Sequence, residues 1–149
     1  MTRVTTLPSW LLSQTAAAAY RLVSEGLAEV GARGYHYRLL AELMESGPAS
    51  QAELGRRTGI HLSDMVAALN ELTDGGYVRR SPDPADRRRN VVTITPAGRR
   101  RAGDLAHRVG EIQDELLAPL NAKERAELVR LLGALLDHHR PAVDQPGLR

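Results

Sequence analysis

Residues 77–98 read Tyr77-Val78-Arg79-Arg80-Ser81-Pro82-Asp83-Pro84-Ala85-Asp86-Arg87-Arg88-Arg89-Asn90-Val91-Val92-Thr93-Ile94-Thr95-Pro96-Ala97-Gly98. Residues 77–80 read as a short strand. Residues 81–86 are turn chemistry, with proline fixing φ and aspartate able to cap the turn. Residues 90–95 are β-branched and read as a second strand. The pair is a hairpin whose tip carries Arg87, Arg88 and Arg89. Thr95-Pro96 then starts a helix, with Thr as N-cap and Pro in the first turn.

Outward from this hairpin, the apolar period is helical on both sides. Upstream, Leu7-Pro8-Ser9 opens a helix whose stripe is Leu12, Ala16, Ala19, Val23, Leu27 and Val30. A second helix covers about 35–46 with Leu39, Leu40, Leu43 and Met44, and Gly47-Pro48 ends it. Ser50-Gln51-Ala52-Glu53 reads as a capping box for a short third helix ending at Thr58-Gly59. A fourth spans about 62–74, with Met65, Leu69 and Leu72 inward. Downstream of the hairpin, the fifth helix carries Leu105, Val109, Ile112 and Leu116 until Pro119 breaks it. Asn121-Ala122-Lys123-Glu124 resembles another capping box and opens the sixth, with Leu128, Leu131, Leu132, Leu135 and Leu136. Pro141 and Pro146 mark a loose tail. The expected fold is mostly α with a small β wing (α+β), in the order four helices, wing, two helices.

Composition agrees with a helical core. The 149 residues include no Phe, one Trp and four Tyr, and 42% are hydrophobic, so Leu, Ala and Val must fill one domain's interior. No Cys is present, which excludes disulfides, thiolate metal sites and thiol redox sensing. His138 and His139 are adjacent and point to different helix faces, while His36, His61 and His107 are scattered, so no metal or cofactor is expected. No secretory or membrane-spanning run is seen, and the cytoplasm is the expected compartment. The net charge of +2 hides an uneven distribution: residues 79–101 hold eight arginines against Asp83 and Asp86, a net of +6. A basic patch on an otherwise acidic body fits one polyanion-binding surface.

The third and fourth helices, joined through Thr58-Gly59-Ile60, have the form of a helix-turn-helix, whose second helix enters the major groove. Opposite its inner stripe lie Ser63, Ala67, Asn70 and Asp74, flanked by Asp64 and Val66. Ser63 and Asn70 can hydrogen-bond to bases or phosphates, Ala67 can touch a thymine methyl, and Asp64 can accept from cytosine N4. Arg87, Arg88 and Arg89, with few aromatic residues nearby, suit phosphates or a minor groove rather than a base-stacking platform. The outer helical stripes are too long to serve one small wing domain. They read as a dimer interface that spaces two reading heads about 34 Å apart.

From Trp10 to Leu136 the chain resembles the MarR family of bacterial regulators. The most specific stretch is 86–98, which resembles the family's wing signature, D-x-R, five residues, then L-T-x-x-G. Asp86, Arg88, Thr95 and Gly98 match, and Ile94 replaces Leu. Leu69-Asn70-Glu71-Leu72 followed by Gly76-Tyr77-Val78 resembles the family's recognition helix entering the wing. The resemblance implies an intertwined dimer, a single domain over 1–149 with the winged helix-turn-helix at 35–96, and dimerisation helices at 8–31 and 96–140. It implies that Arg88 enters the minor groove, that Asp86 orients it, and that Ser50 and Gln51 lie near phosphates at a helix N-terminus. The chain departs from the family pattern at His61, where Ser or Asp usually caps, and at Leu62 and Ala67, which are often polar or basic. Sparse base readout and a larger share for the wing are expected.

The resemblance further implies release from DNA by a small aromatic acid or phenol, bound between the dimerisation helices and the winged part. Trp10, Tyr20, Tyr35, His36, Tyr37 and Arg38 are the candidates, an aromatic cluster with an arginine that suits a planar carboxylate. The same residue types also serve interface packing, and Trp10 fits a dimer core. The expected function is a sequence-specific double-stranded DNA-binding regulator, a repressor rather than an enzyme: G-x-S-x-G, phosphate-cradling glycine loops and H-E-x-x-H are all missing. The alternatives are an architectural DNA binder without a preferred site and a helical protein-interaction module, separated by specificity ratio and by DNA affinity at low salt.

Overall fold

The computed structural model describes residues 3–140; the tail expected from Pro141 and Pro146 lies outside them. After a short turn at Val4–Thr6 come α1 (Pro8–Ala28), α2 (Gly34–Ser46), β1 (Ala49–Ser50), α3 (Gln51–Thr58), α4 (Leu62–Asp74), β2 (Val78–Pro82), β3 (Asn90–Ile94), α5 (Pro96–Leu116) and α6 (Ala122–His139). The strands form one antiparallel sheet in the order β1-β3-β2. Two strands were expected and three are found. Ala49 and Ser50 pair with Val92 and Val91, closing the free edge of β3. A two-residue strand has no periodicity to read, so only the partner reveals it.

The hairpin itself is shifted slightly. β2 starts at Val78 and runs to Pro82, which faces Asn90 at the ladder's end. Thr95 leaves the ladder to cap α5. Its hydroxyl accepts from the Gly98 N–H at 3.0 Å and donates to the Gly76 carbonyl at 2.6 Å, and its own N–H donates to the Tyr77 carbonyl at 3.0 Å. Gly98 packs so tightly here that a Cβ would sit 2.0 Å from the Tyr77 carbonyl oxygen. The first turn of α5 and the base of the wing are therefore one joint.

The backbone divides into two compact units, Met1–Gln113 and Asp114–Arg149. In the first, α2 contributes Leu39, Leu40 and Leu43 to the core, α4 contributes Met65, Ala68, Leu69 and Leu72, and the sheet contributes Val78, Val92 and Ile94. Leu27, Leu54, Leu105 and Ile112 complete it. Each such aliphatic side chain stabilises the fold by about 1.5–3 kcal/mol, as an upper bound on burial. The expected inner stripe of α4 is fully buried. Met44, by contrast, is 45% exposed and lies against the Arg99 guanidinium. The stripe of α1 is packed only near its C-terminal end, and Leu11 and Leu12 are exposed.

In the second unit, the capping box at Asn121 is reciprocal: Asn121 accepts from the Glu124 N–H at 2.9 Å, and Glu124 accepts from the Asn121 N–H at 3.0 Å. Arg125 pairs with Asp114 at 2.9 Å, and Arg130 holds the Glu127 carboxyl below the usual carboxylate range. α6 buries none of its residues, and Val129, Leu131, Leu132, Leu135 and Leu136 are all exposed.

Candidate nucleic-acid interface

The third and fourth helices meet in a turn that the sequence specifies. Gly59 ends α3 in the left-handed conformation, φ 68°, which glycine adopts without strain. Ile60 is buried and pins the turn. His61 then caps α4: its Nδ1 accepts the Ser63 N–H at 3.4 Å and lies 3.0 Å from the Ser63 hydroxyl. An imidazole thus takes the cap position that Ser or Asp usually fills. Because Nδ1 already acts as an acceptor, the Ser63 hydroxyl is the donor in that contact and keeps its lone pairs for an incoming group.

At the start of α3, Ser50 accepts the Glu53 N–H at 3.2 Å. The reciprocal half of the expected capping box is not made. Glu53 instead lies 3.9 Å from Arg57, one turn on, where an i, i+4 pair competes for its carboxylate. Ser50 is also held in the sheet through Val91. Ser50 and Gln51 are half-buried at the N-terminus of α3.

Ser63, Asp64, Val66, Ala67, Asn70 and Asp74 are all exposed, as the helical period requires. The face is divided, however. Asp64 and Ala67 border a cavity of about 670 Å³, lined also by Tyr20, Tyr35, Arg38 and Glu71. Ser63, Val66 and Asn70 lie on the other flank by the 100° rotation per residue. The Asn70 carbonyl oxygen is occupied: Arg80 Nη2 donates to it at 2.7 Å. Asn70 therefore presents its NH₂ donor to a partner, while the Arg80 head stands beside the oxygen that a paired donor–acceptor grip on adenine would use. Between Leu62 and Asp74 there are three acids and no base.

The wing supplies the cations. Asp83 folds the tip by accepting the Ala85 N–H at 2.9 Å, and the chain closes on itself through Asp83 N–H to the Arg89 carbonyl at 2.7 Å. One Asp86 carboxylate oxygen accepts both the Arg88 N–H at 3.1 Å and its Nε–H at 3.3 Å. The guanidinium is clasped at its root while its side chain stays 92% exposed. Arg87 and Arg89 are exposed beside it.

The expected aromatic cluster does not converge as a whole. Tyr20, Tyr35 and Arg38 share the cavity wall, whereas Trp10, His36 and Tyr37 do not line it. Tyr37 packs against the core. His36 is engaged elsewhere: its Nδ1 accepts the Arg33 N–H at 3.2 Å, so Nε2–H donates to Glu71 at 2.8 Å. Arg33 also faces Glu71 at 3.4 Å. Arg38 donates to the Thr58 carbonyl. The sequence reading missed Glu71 and Arg33 as cavity residues. Glu71 follows Asp64 by seven residues, two helical turns along one stripe, and that spacing was the available signal.

The sequence profile of the MarR family matches residues 30–89. The chain is 32% identical over 98 residues to the transcriptional repressor NicR of Pseudomonas putida, covering 66% of this chain. It spans 62% of the length of the curated relatives that it matches at 32% identity. Among solved structures, a probable transcriptional regulator from Pseudomonas aeruginosa superposes with a TM-score of 0.78 at 32% identity, covering 89% of this chain and 99% of that one. A mutant of MarR from E. coli complexed with operator DNA superposes with a TM-score of 0.73 at 26% identity, covering 86% and 92%. Six helices and a three-stranded sheet, the Asp86–Arg88 clasp and these relatives agree, and residues 30–89 of the chain carry the profile of the MarR family.

Proposed function

We propose that the protein is a homodimeric, sequence-specific regulator of transcription, a repressor that binds double-stranded DNA and catalyses no reaction. The observation that carries this reading is the joint presentation, from one rigid core, of the exposed flank of α4 and the Arg87–Arg88–Arg89 tip held by Asp86. An α-helix fits the major groove, and an extended arginine fits the narrow minor groove beside it. The solved likeness with operator DNA supports the same docking. Residues 35–96 form the reading head, with Ser50, Gln51, Ser63 and Asn70 facing DNA beside the wing arginines. Asp64 and Ala67 lie nearer the cavity.

Residues 8–31 and 96–140 form the dimer part. The row of exposed leucines on α6 and the exposed half of the α1 stripe have the character of surfaces that associate. The cavity holds a small aromatic or phenolic ligand between Tyr20, Tyr35 and Arg38. Occupancy would press on α4 through Asp64, Ala67 and Glu71 and lower DNA affinity. No helix among the described residues is long and apolar enough to cross a membrane, and cytoplasmic DNA is the target.

The test is a titration of the purified protein with its own upstream region and a scrambled duplex at several salt concentrations. Much tighter binding to its own region, with log K falling steeply in log salt, is the expected result. Equal binding to both would make it an architectural binder. Binding to neither at low salt would assign the basic hairpin to an acidic protein.

A further inference from the structure

Arg80 has an unusual position among the wing arginines. It lies two residues after Val78 along β2 and so on the same face, and Val78 is buried, so Arg80 projects from the inner face of the sheet while Arg79 projects from the outer one. Its partner across the ladder, Val92, is also buried. The arginine stem runs over the core edge and its head reaches α4, where Nη2 donates to the Asn70 carbonyl oxygen at 2.7 Å. Among the described residues, its Nε is the one buried side-chain nitrogen or oxygen with no hydrogen-bond partner. It forms no salt bridge among the described residues, whereas Arg88, Arg108, Arg125 and Arg130 each have a carboxylate.

A guanidinium with a sacrificed Nε–H and no counter-charge is a poor device for stability, since an unmade buried hydrogen bond is unfavourable. It is a good device for binding. The Nη1 end and the second Nη2 hydrogen remain free, and the Asn70 clasp fixes their direction. They lie in the corner between α4 and the wing. In a duplex whose major groove holds α4 and whose adjacent minor groove holds the wing, the sugar–phosphate strand between the grooves must pass this corner.

We infer that Arg80 is a DNA-contacting residue that grips a backbone phosphate of that strand, and that Asn70 is a positioning residue acting through Arg80 rather than a reader of bases. This rests on the DNA-binding reading above. The contact carries no sequence information of its own; it fixes the register of α4 against the wing.

The test uses the full chain with two duplexes, its own upstream region and a scrambled copy, across a salt series. Arg80→Met keeps the stem and removes the guanidinium. Its expected effect is an affinity loss of about tenfold on both duplexes, with the salt slope reduced by about one for each bound protomer. Arg80→Lys keeps the charge and should keep the slope. Asn70→Ala should weaken binding in the wild-type background and change nothing further in Arg80→Met. The melting temperature of Arg80→Met should hold or rise, because the unpaired Nε–H is gone; a packing arginine would lower it. Unchanged affinity in Arg80→Met, loss confined to one duplex, or an Asn70→Ala loss that adds to it would each overturn the assignment. If the wild-type protein binds neither duplex, the DNA reading falls first and this inference falls with it; if it binds and Arg80→Met binds equally, only this inference falls.

Discussion

The recognition helix and the wing face the same proposed partner with opposite electrostatics. α4 carries Asp64, Glu71 and Asp74 and no cation, whereas residues 79–89 carry five arginines against two aspartates. A polyanion repels the first and attracts the second. On the proposed DNA-binding reading the wing would therefore hold the helix in its groove, and the helix would contribute shape and a few directed hydrogen bonds. The division of labour also fits what α4 presents: Ser63 keeps lone pairs for a partner, and Asn70 spends its carbonyl oxygen on holding Arg80 of the wing.

The comparison breaks most visibly at the wing tip. Replacing Arg87, Arg88 and Arg89 together by Ala should lower affinity for any duplex by on the order of a hundredfold or more and flatten the salt dependence, without changing the melting temperature. Fluorescence anisotropy across a salt series measures it, and retention of affinity would move the driving force to α4. Arg88→Ala alone should reproduce part of the loss with the fold intact.

A second variant disturbs the wing from behind while leaving α4 untouched. Gly98→Ala places a Cβ against the Tyr77 carbonyl oxygen, and the joint must open. A loss of about 1–3 kcal/mol in thermal stability is expected for such overpacking, together with weaker binding to specific and scrambled DNA alike. A stable variant with unaltered DNA binding would show that the wing is not set by this contact.

The two smallest effects belong to the helix. Ser63→Ala should reduce the preference for the chain's own upstream region by about fivefold, near the value of one hydrogen bond, and leave scrambled DNA alone. Equal losses on both would make Ser63 a phosphate contact. Asp64→Asn removes one negative charge beside the groove and should raise scrambled-DNA affinity by about twofold at low salt, fading as salt screens it. A fall instead would place Asp64 on a base donor.

Much of this was legible in the sequence because it is local. Thr95 and Asn121 announce helix starts by their own side chains, and the Met65, Leu69, Leu72 stripe follows from helical period alone. The wing tip is readable because Pro and Asp dictate its turn. What failed to read through is what depends on distant partners. The β1 strand exists only because β3 offers an edge. Glu53 forsakes its cap because Arg57 lies one turn away. Trp10, His36 and Tyr37 are near Tyr20, Tyr35 and Arg38 in type and number, yet His36 is claimed by Glu71, thirty-five residues on. Arg80 counts as one more cation in a basic run until β2 pairing shows that it faces inward.

The joint at Thr95 and Gly98 turns the wing into a lever. Three hydrogen bonds and a close contact fasten the first turn of α5 to the hairpin's base, and the arginines sit at the far end of β3. With about 3.4 Å of rise per residue, five residues put the tip about 17 Å from the fulcrum. A tilt of about 10° at α5 then sweeps the tip by about 3 Å, more than the spread of distances over which a charged hydrogen bond survives. On the proposed DNA-binding reading, modest reorientation of one helix would be enough to lift the arginines off the groove, with no part of the reading head unfolding.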